Sequence, residues 1–258
     1  MTRFSKRALM IRTIAVASLL TAATPAWALN YYELEVYPYR TAAKGELELE
    51  NSSAYTLAGT RAGDENRHIF RNTFEVDYGL SNRLEFAAYG DFFRDPGTGR
   101  VEFGGQRYHL RTRFFQKGEL PVDLGAYVEL EMPKHDPDTR EADVKGIIEK
   151  DFGKWTVDLN PGLEKVLSGS NANGGWDFHY AAGLVYRMNE TVQPRLDFFG
   201  DLGPINHVSS WNGQEHLISP AVDVNFTPTF HVLAGAAFGV TNATEQRLLR
   251  LKMEWEFY

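Results

Sequence analysis

The C-terminal stretch of the chain, Gln246 to Tyr258, alternates between apolar and charged side chains. From Leu249 onward one face carries Leu249, Leu251, Met253, Trp255 and Phe257, and the other carries Arg250, Lys252, Glu254 and Glu256. This period of two predicts a β-strand with one apolar face. A fully charged face opposite a fully apolar one is typical of a strand between lipid and a water-filled lumen.

The same alternation recurs along most of the chain, in strands separated by polar or glycine-bearing connections. The predicted strands are 45–55, 68–78, 84–93, 101–115, 122–131, 142–152, 155–167, 176–187, 193–202, 215–226, 231–240 and 246–258. A soluble sandwich or lipocalin-like barrel also alternates, but its charged face points outward over an aliphatic core. Aromatic residues near the strand ends on one face, with acids and arginines on the other, favour an all-β transmembrane antiparallel up-and-down β-barrel of about twelve strands.

The predicted connections alternate in length, as in outer-membrane barrels with short periplasmic turns and longer external loops. The short ones are 79–83, 116–121, 153–154, 189–192 and 227–230, and the longer ones are 57–67, 94–100, 132–141, 168–175 and 203–214. The last connection, 241–244, is short and departs from the pattern. An even strand count places both ends of the barrel on the periplasmic side, and the last strand is expected to pair with the first.

Residues Met1 to Ala28 have the pattern of a secretory signal peptide. Basic residues precede an apolar run from Ile14 to Ala23, and Ala26-Trp27-Ala28 is a small-x-small cleavage site. The apolar run is too short to span a bilayer, which takes roughly 20 residues. We therefore expect cleavage after Ala28, and no cysteine lies there to accept a lipid anchor.

Charge and cysteine content exclude several functions. The chain has 27 Lys+Arg against 34 Asp+Glu, and loss of the basic signal peptide makes the remainder more acidic. Nucleic acid is therefore not an expected partner, because phosphate binding needs clustered cations. The absence of cysteine excludes disulfides, thiolate metal sites and cysteine nucleophiles. We expect no cofactor, since the phosphate-loop, zinc and dinucleotide signatures are all missing.

The N-terminal lead of the mature chain, residues 29–44, lacks a regular pattern and contains Pro38. The sequence is compatible with a short extra strand, a periplasmic segment or a plug in the lumen, and does not decide among them.

One short motif suggests a family. Tyr78 to Glu85 reads YGLSNRLE between aromatic-rich strands. It resembles the turn that recurs in outer-membrane proteins of the meta-pathway-of-phenol-degradation family. That resemblance implies a transporter-like barrel that moves aromatic or other small molecules. The terminal strand also resembles the signal read by the outer-membrane assembly machinery, through Leu251, Met253, Trp255, Phe257 and Tyr258, although Tyr258 lies outside the apolar register.

The fourth predicted strand carries an unusual basic stripe on its inner face. Its members are Arg107, His109, Arg111 and Arg113, and the neighbouring strands offer Glu85, Asp91, Asp123, Glu129 and Glu131. These residues are the candidate channel lining. They are either a binding stripe for a polar or anionic solute or a set of cross-strand ion pairs that satisfies a polar interior.

Elsewhere acidic positions outnumber basic ones on the predicted inner face. They include Glu46, Glu48, Glu50, Glu75, Asp77, Asp158, Asp177, Asp197, Asp201 and Asp223. An open lumen with this lining is expected to favour cations on average.

The sequence offers weaker signals for enzymatic or metal chemistry. A lipid-acting hydrolase needs Ser, His and an acid that converge, and loop 203–214 with its flank holds His207, Ser209, Ser210, Glu215 and His216. No motif frames these residues. His135 to Asp138 offers two carboxylates, fewer than a Ca²⁺ site needs, so no metal site is predicted.

The favoured interpretation is a monomeric barrel in the outer membrane of a Gram-negative bacterium, acting as a channel or transporter for small solutes and not as an enzyme. Tyr89, Phe93, Tyr127 and Phe199 are expected to narrow its lumen. The expected partners are outer-membrane lipid, the assembly machinery and a small-molecule solute. A lipid-acting enzyme and a closed structural barrel remain the alternatives.

Overall fold

The computed structural model describes residues 29–32, 34–61, 63, 66–134, 137–169 and 172–258. The predicted signal peptide, Met1 to Ala28, lies outside the described residues. Within the described part of the chain, no helix is long and apolar enough to cross a membrane.

The chain folds into twelve antiparallel strands that close into a single barrel. They are β1 (Leu47–Thr60), β2 (Phe70–Ser81), β3 (Leu84–Arg94), β4 (Val101–Arg113), β5 (Asp123–Pro133), β6 (Arg140–Phe152), β7 (Trp155–Ser168), β8 (Asp177–Tyr186), β9 (Val192–Pro204), β10 (Glu215–Thr227), β11 (Phe230–Gly239) and β12 (Glu245–Phe257). Each strand pairs with its neighbours in sequence, and β12 pairs with β1. The predicted fold, strand count and closure are confirmed.

Most strand boundaries differ from the predicted ones by one to three residues, and two differences change a connection. β1 continues to Thr60, through residues expected in a loop, because Ala58 and Thr60 still pair with Arg247 and Glu245 of β12. The connection 114–122 between β4 and β5 is longer than the predicted turn, whereas 82–83, 153–154 and 228–229 are two-residue turns. We call the barrel end with the two-residue turns the inner end and the opposite end the outer end.

The two faces of each strand differ as the alternation predicts. In β2, Phe74, Val76 and Tyr78 are exposed outward, while Glu75 and Asp77 are buried inside. The same contrast around the ring gives the barrel an apolar outer surface and a polar interior. An apolar exterior of this kind suits lipid, and closure leaves no backbone group unpaired at a strand edge.

Residues 29–32 and 34–46 run through the barrel, and we call them the luminal segment. Near the inner end, Gly45 donates a backbone hydrogen bond to Gly79. Near the outer end, the Leu29 backbone nitrogen lies 3.3 Å from Glu215, the first residue of β10. Of the three arrangements left open by the sequence, the structure therefore has a segment inside the lumen.

A close backbone approach fixes where the luminal segment enters the barrel. A Cβ atom at Gly79 would lie 1.8 Å from the carbonyl oxygen of Ala43. Only glycine leaves room for that crossing, so Gly79 of β2 positions the segment at the inner end.

Candidate functional site

The basic stripe of β4 faces the barrel interior. Arg107 bonds Asp91 at 2.9 Å and Glu129 at 3.5 Å. Arg111 bonds Glu85 at 2.6 Å. The interpretation as cross-strand ion pairs therefore describes these contacts well. Arg107 is fully buried, so at this level the stripe is packed against other side chains.

The remaining predicted lining residues are dispersed. Arg113 donates to the Asn82 carbonyl oxygen at the inner end. Asp123 accepts from the Gly118 backbone there, at 2.6 Å. Glu131 lies at the opposite end and borders a cavity. The predicted set thus forms a buried centre with members at both ends, and does not form one continuous ladder.

His109 lies at the centre of an acidic and aromatic cluster. Its Nδ1 is hydrogen-bonded with Tyr89, and its Nε2 lies 3.3 Å from Glu85. Glu75 and Asp77 approach the same ring at 3.8 and 3.9 Å. Glu75, Asp77 and His109 place three potential metal ligands within 4.8 Å of one another. Both ring nitrogens already have partners, which favours a hydrogen-bonded cluster.

Tyr37 of the luminal segment completes this cluster. Its hydroxyl lies 3.2 Å from that of Tyr89 and 3.3 Å from that of Tyr127. The Arg111 guanidinium lies 5.3 Å from the Tyr37 ring centroid, and the Lys145 ammonium lies 4.3 Å from that of Tyr127. Three aromatic rings and two cations therefore fill the β3–β5 side of the lumen at mid-height, and we call this packed cluster the constriction.

Side chains of the wall hold the backbone of the luminal segment as a neighbouring strand would. Asn160 accepts from the Tyr37 nitrogen at 2.8 Å and donates to its carbonyl oxygen at 3.1 Å. Glu149 accepts from the Tyr39 nitrogen at 2.8 Å, and Glu85 accepts from the Ala42 nitrogen. Wall side chains thus satisfy backbone groups of Tyr37, Tyr39 and Ala42 without strand pairing.

Arg40 of the luminal segment closes the seam between β1 and β12. The register sets Glu48 against Glu256 and Glu50 against Glu254, acid on acid. The Arg40 guanidinium binds Glu48 at 2.9 Å and Glu256 at 2.8 Å, and it also contacts Glu46 and Glu254. One arginine therefore bridges carboxylates on both sides of the seam.

The basic residues of β12 find acidic partners elsewhere. Arg250 bonds Asp197 of β9, three strands along the barrel wall, at 2.8 Å. Lys252 lies 2.6 Å from Glu35 of the luminal segment and 2.7 Å from Glu50. Lys252 therefore contacts an acid of β1, whereas Arg250 reaches a different strand.

An inner cavity of about 520 Å³ lies beside the luminal segment. Its cationic lining is Arg40, Arg111, Arg113, Lys117, Arg187, Arg195, Arg250 and Lys252, and its acidic lining is Glu35, Glu48, Glu50, Glu149, Asp158, Asp223 and Glu254. At its rim Lys117 contacts Glu149 and Asp151. Burial alone would lower the pKa of Lys117, but the two carboxylates outweigh it and raise that pKa. Charges of the two signs nearly balance in this cavity.

An outer cavity of about 670 Å³ lies towards the longer loops. Its acidic lining is Glu35, Glu129, Glu131, Glu141, Asp143, Glu164, Asp201, Glu215 and Glu245, and its basic lining is Arg71, Lys145 and His179. Both cavities are bordered by Tyr32, Leu34 and Glu35, so the luminal segment separates them. The outer cavity is therefore distinctly acidic.

Among the bulky residues expected to narrow the lumen, Tyr89, Tyr127 and Phe199 are buried inside the barrel, and Phe93 is half-buried. The structure adds residues of the luminal segment that the sequence did not indicate, above all Glu35, Tyr37 and Arg40. The lead has no periodicity, so no face could be assigned to them. One sequence feature does indicate a residue such as Arg40. Acids of the first strand face acids of the last strand, and such a pairing requires a nearby cation.

The candidate hydrolase residues do not converge among the described contacts. The ring nitrogens of His216 lie 3.1 Å from the Tyr180 hydroxyl and 2.9 Å from the Gln214 oxygen. Glu215 points to Tyr31. Of the residues weighed for Ca²⁺, His135 and Asp136 lie outside the described residues.

Three solved structures share this fold at low sequence identity. An outer membrane channel from Pseudomonas putida F1 matches with a TM-score of 0.59 and 15% identity, over 87% of this chain and 100% of that one. The KdgM porin, also solved in complex with disordered oligogalacturonate, gives 0.58 and 5%, over 82% and 99%. The NanC porin gives 0.56 and 7%, over 81% and 99%.

No family model matches the chain, and no curated protein matches it. At these identities the likeness to the three solved structures is one of fold: a closed barrel of outer-membrane type.

Proposed function

We propose that the protein is an outer-membrane channel for small solutes in a Gram-negative bacterium. The observation that carries this proposal is the pair of polar cavities, about 520 and 670 Å³, on either side of the luminal segment inside a barrel with an apolar exterior. A barrel with only a structural role does not require open polar space of this size in its interior. The constriction at Tyr37, Tyr89 and Tyr127 limits passage to small solutes.

The charge lining the outer cavity points to cationic or uncharged solutes. Carboxylates that line a cavity with low-dielectric walls raise the local concentration of cations and disfavour anions. Glu131 and Glu164 both border the outer cavity, and among the described residues neither has an ion-pair partner within 4 Å. The KdgM porin was solved with an acidic oligosaccharide, and the outer cavity here favours a different solute class.

The family, the partners and the monomeric state are part of the same proposal. The octet Tyr78–Glu85 spans the end of β2, the turn 82–83 and the start of β3, in keeping with membership of the meta-pathway-of-phenol-degradation family. Lipid is the partner of the apolar exterior. The outward-facing Leu251, Trp255 and Phe257 are available to the assembly machinery, and the closed ring needs no second copy.

The proposal is tested in planar bilayers and liposomes with the purified barrel. We expect a small conductance, swelling with small uncharged or cationic solutes, and a reversal potential of cation-selective sign under a salt gradient. The double variant Glu131→Gln/Glu164→Gln should reduce that selectivity, and the matched inner-end variant Glu119→Gln should leave it unchanged. Absence of permeation by any solute overturns the channel proposal, and anion selectivity overturns the assigned solute class.

A further inference from the structure

Glu215 is a buried carboxylate at the outer end of the lumen. It is 7% exposed. One of its oxygens accepts from the Tyr31 hydroxyl at 2.7 Å and from the Leu29 backbone nitrogen at 3.3 Å. Among residues that the structure describes, no Lys, Arg or His side chain lies within ion-pair distance of it. Burying a charged carboxylate without a neighbouring cation costs free energy, so a cation bound at this position would stabilise the fold.

The surroundings of Glu215 do not supply that cation. Asp201 faces Glu215 directly in the β9–β10 register, and Glu245 borders the same cavity. Arg71, the arginine of that cavity, is bonded to Glu245 at 2.6 Å. Negative charge is therefore in excess around Glu215.

The sequence places the expected cleavage site at this position. Cleavage after Ala28 by a signal peptidase is hydrolysis of the Ala28–Leu29 amide bond: water adds, Ala28 keeps a carboxylate, and Leu29 keeps an amine. At neutral pH that amine binds a proton and becomes a new α-ammonium group. Its nitrogen is the atom that already lies 3.3 Å from Glu215.

We propose that Glu215 is the docking site for the α-ammonium group created at Leu29 by signal-peptide removal. The neutral hydrogen bond becomes a charge-assisted one, which is shorter and stronger. The Tyr31 hydroxyl donates to the same carboxylate and accepts from the Glu245 nitrogen, so it orients Glu215 towards Leu29.

Docking fixes the free end of the luminal segment. The other end is joined covalently to β1, and Asn160 holds the middle through two hydrogen bonds to Tyr37. Export processing is thereby coupled to the final position of the segment that divides the lumen. This inference does not rest on transport and applies equally to a closed barrel.

The test is the reactivity of the Leu29 amine in the purified, folded mature protein. The intact mass first shows whether the chain begins at Leu29. The protein is then treated briefly with an N-hydroxysuccinimide ester at pH 7 and digested with trypsin. The peptide 29–40 contains no lysine, so any label on its amines reports the α-amino group alone.

We expect labelling of Leu29 to be at least about tenfold faster in Glu215→Gln than in the wild type, because a charge-assisted hydrogen bond protects the amine. Glu131→Gln, a change in the same cavity, should label as slowly as the wild type. A chain with one glycine inserted between Ala28 and Leu29 keeps Glu215 but displaces the charge by about 3.5 Å. It should label fast.

The inference is wrong if the mature chain begins elsewhere than at Leu29, or if the wild type and the glycine insertion label equally. The insertion keeps every wall residue, so it remains informative even if Glu215→Gln fails to fold. Conductance has no part in the readout, and failure here leaves the channel proposal standing.

Discussion

At the scale of single residues, Arg40 stabilises the seam between β1 and β12. Its guanidinium is half-exposed, yet it contacts four carboxylates that would otherwise repel one another across the β1–β12 seam. Like charges directly opposite in a sheet destabilise it. Lys252 offsets the facing pair Glu50 and Glu254, so closure depends on Arg40 mainly at the pair Glu48 and Glu256.

Replacing this arginine tests its role. We expect Arg40→Ala to lower the free energy of unfolding by about 2 kcal/mol, between the values typical of exposed and buried pairs. The loss should shrink on acidification, because protonated carboxyls no longer repel. Urea unfolding in detergent at two pH values measures both effects. Arg113→Ala, at the same end but bonded to a carbonyl, is the control, and an equal loss in both variants contradicts the assignment.

Tyr37 carries the second prediction at this scale. Tyr37→Ala removes the ring that meets Tyr89 and Tyr127 at the constriction, so we expect single-channel conductance to rise roughly twofold or more, since the narrowest section governs ion flow. Tyr37→Phe keeps the ring and should conduct like the wild type. Unchanged conductance in Tyr37→Ala would show that the limiting section lies elsewhere.

At the scale of elements, the luminal segment behaves as an internal strand without a sheet partner. Its backbone is bonded by side chains of β3, β6 and β7, and its side chains fill the middle of the barrel. The barrel wall is regular, whereas the segment depends on individual contacts. Its position is therefore sensitive to small changes in the wall at the inner end.

Gly79→Ala tests this dependence. The added Cβ would collide with the Ala43 backbone at 1.8 Å, so we expect a loss of more than about 2 kcal/mol in stability, or displacement of the segment. Gly146→Ala, whose Cβ would meet Pro161 at an ordinary 3.6 Å, is the matched control. Trypsin cleavage after Arg40 in the folded barrel reports displacement, and equal resistance of both variants would count against the proposed crossing.

The wall was predictable from sequence because each strand has to satisfy lipid on one face and water on the other. That requirement gives β2 its alternation of Phe74, Val76 and Tyr78 with Glu75 and Asp77, and the same reasoning located the basic stripe of β4. The luminal segment obeys no such rule, since it touches no lipid and has no regular partner. The contacts of Tyr37 and Arg40 form only inside the closed barrel, so their roles could not be predicted from the local sequence.

At the scale of the whole molecule, the barrel has an exterior for lipid and an interior divided by charge. The outer cavity is acidic and the inner one nearly balanced. A solute entering from the loops would therefore meet negative charge first and a mixed set of ion pairs beyond the constriction.

The exterior gives a prediction that separates a membrane barrel from a soluble one. Phe74→Arg, near the middle of β2 and 58% exposed, should cost about 2–4 kcal/mol in lipid. Phe226→Arg, at the inner end of β10 and 63% exposed, should cost about 0–1 kcal/mol because the site lies near the interface. Unfolding in vesicles measures both. Equal, small effects would indicate that the surface faces water.

The seam also has a consequence for the order of assembly. Ring closure brings the first and last strands together, and Glu48 and Glu256 repel each other until an arginine seven residues before β1 lies between them. A chain that tried to close while the luminal segment was still outside would meet an electrostatic barrier. We therefore expect the part of the mature protein that is synthesised first to influence the last joining step, with closure favoured once the luminal segment lies inside.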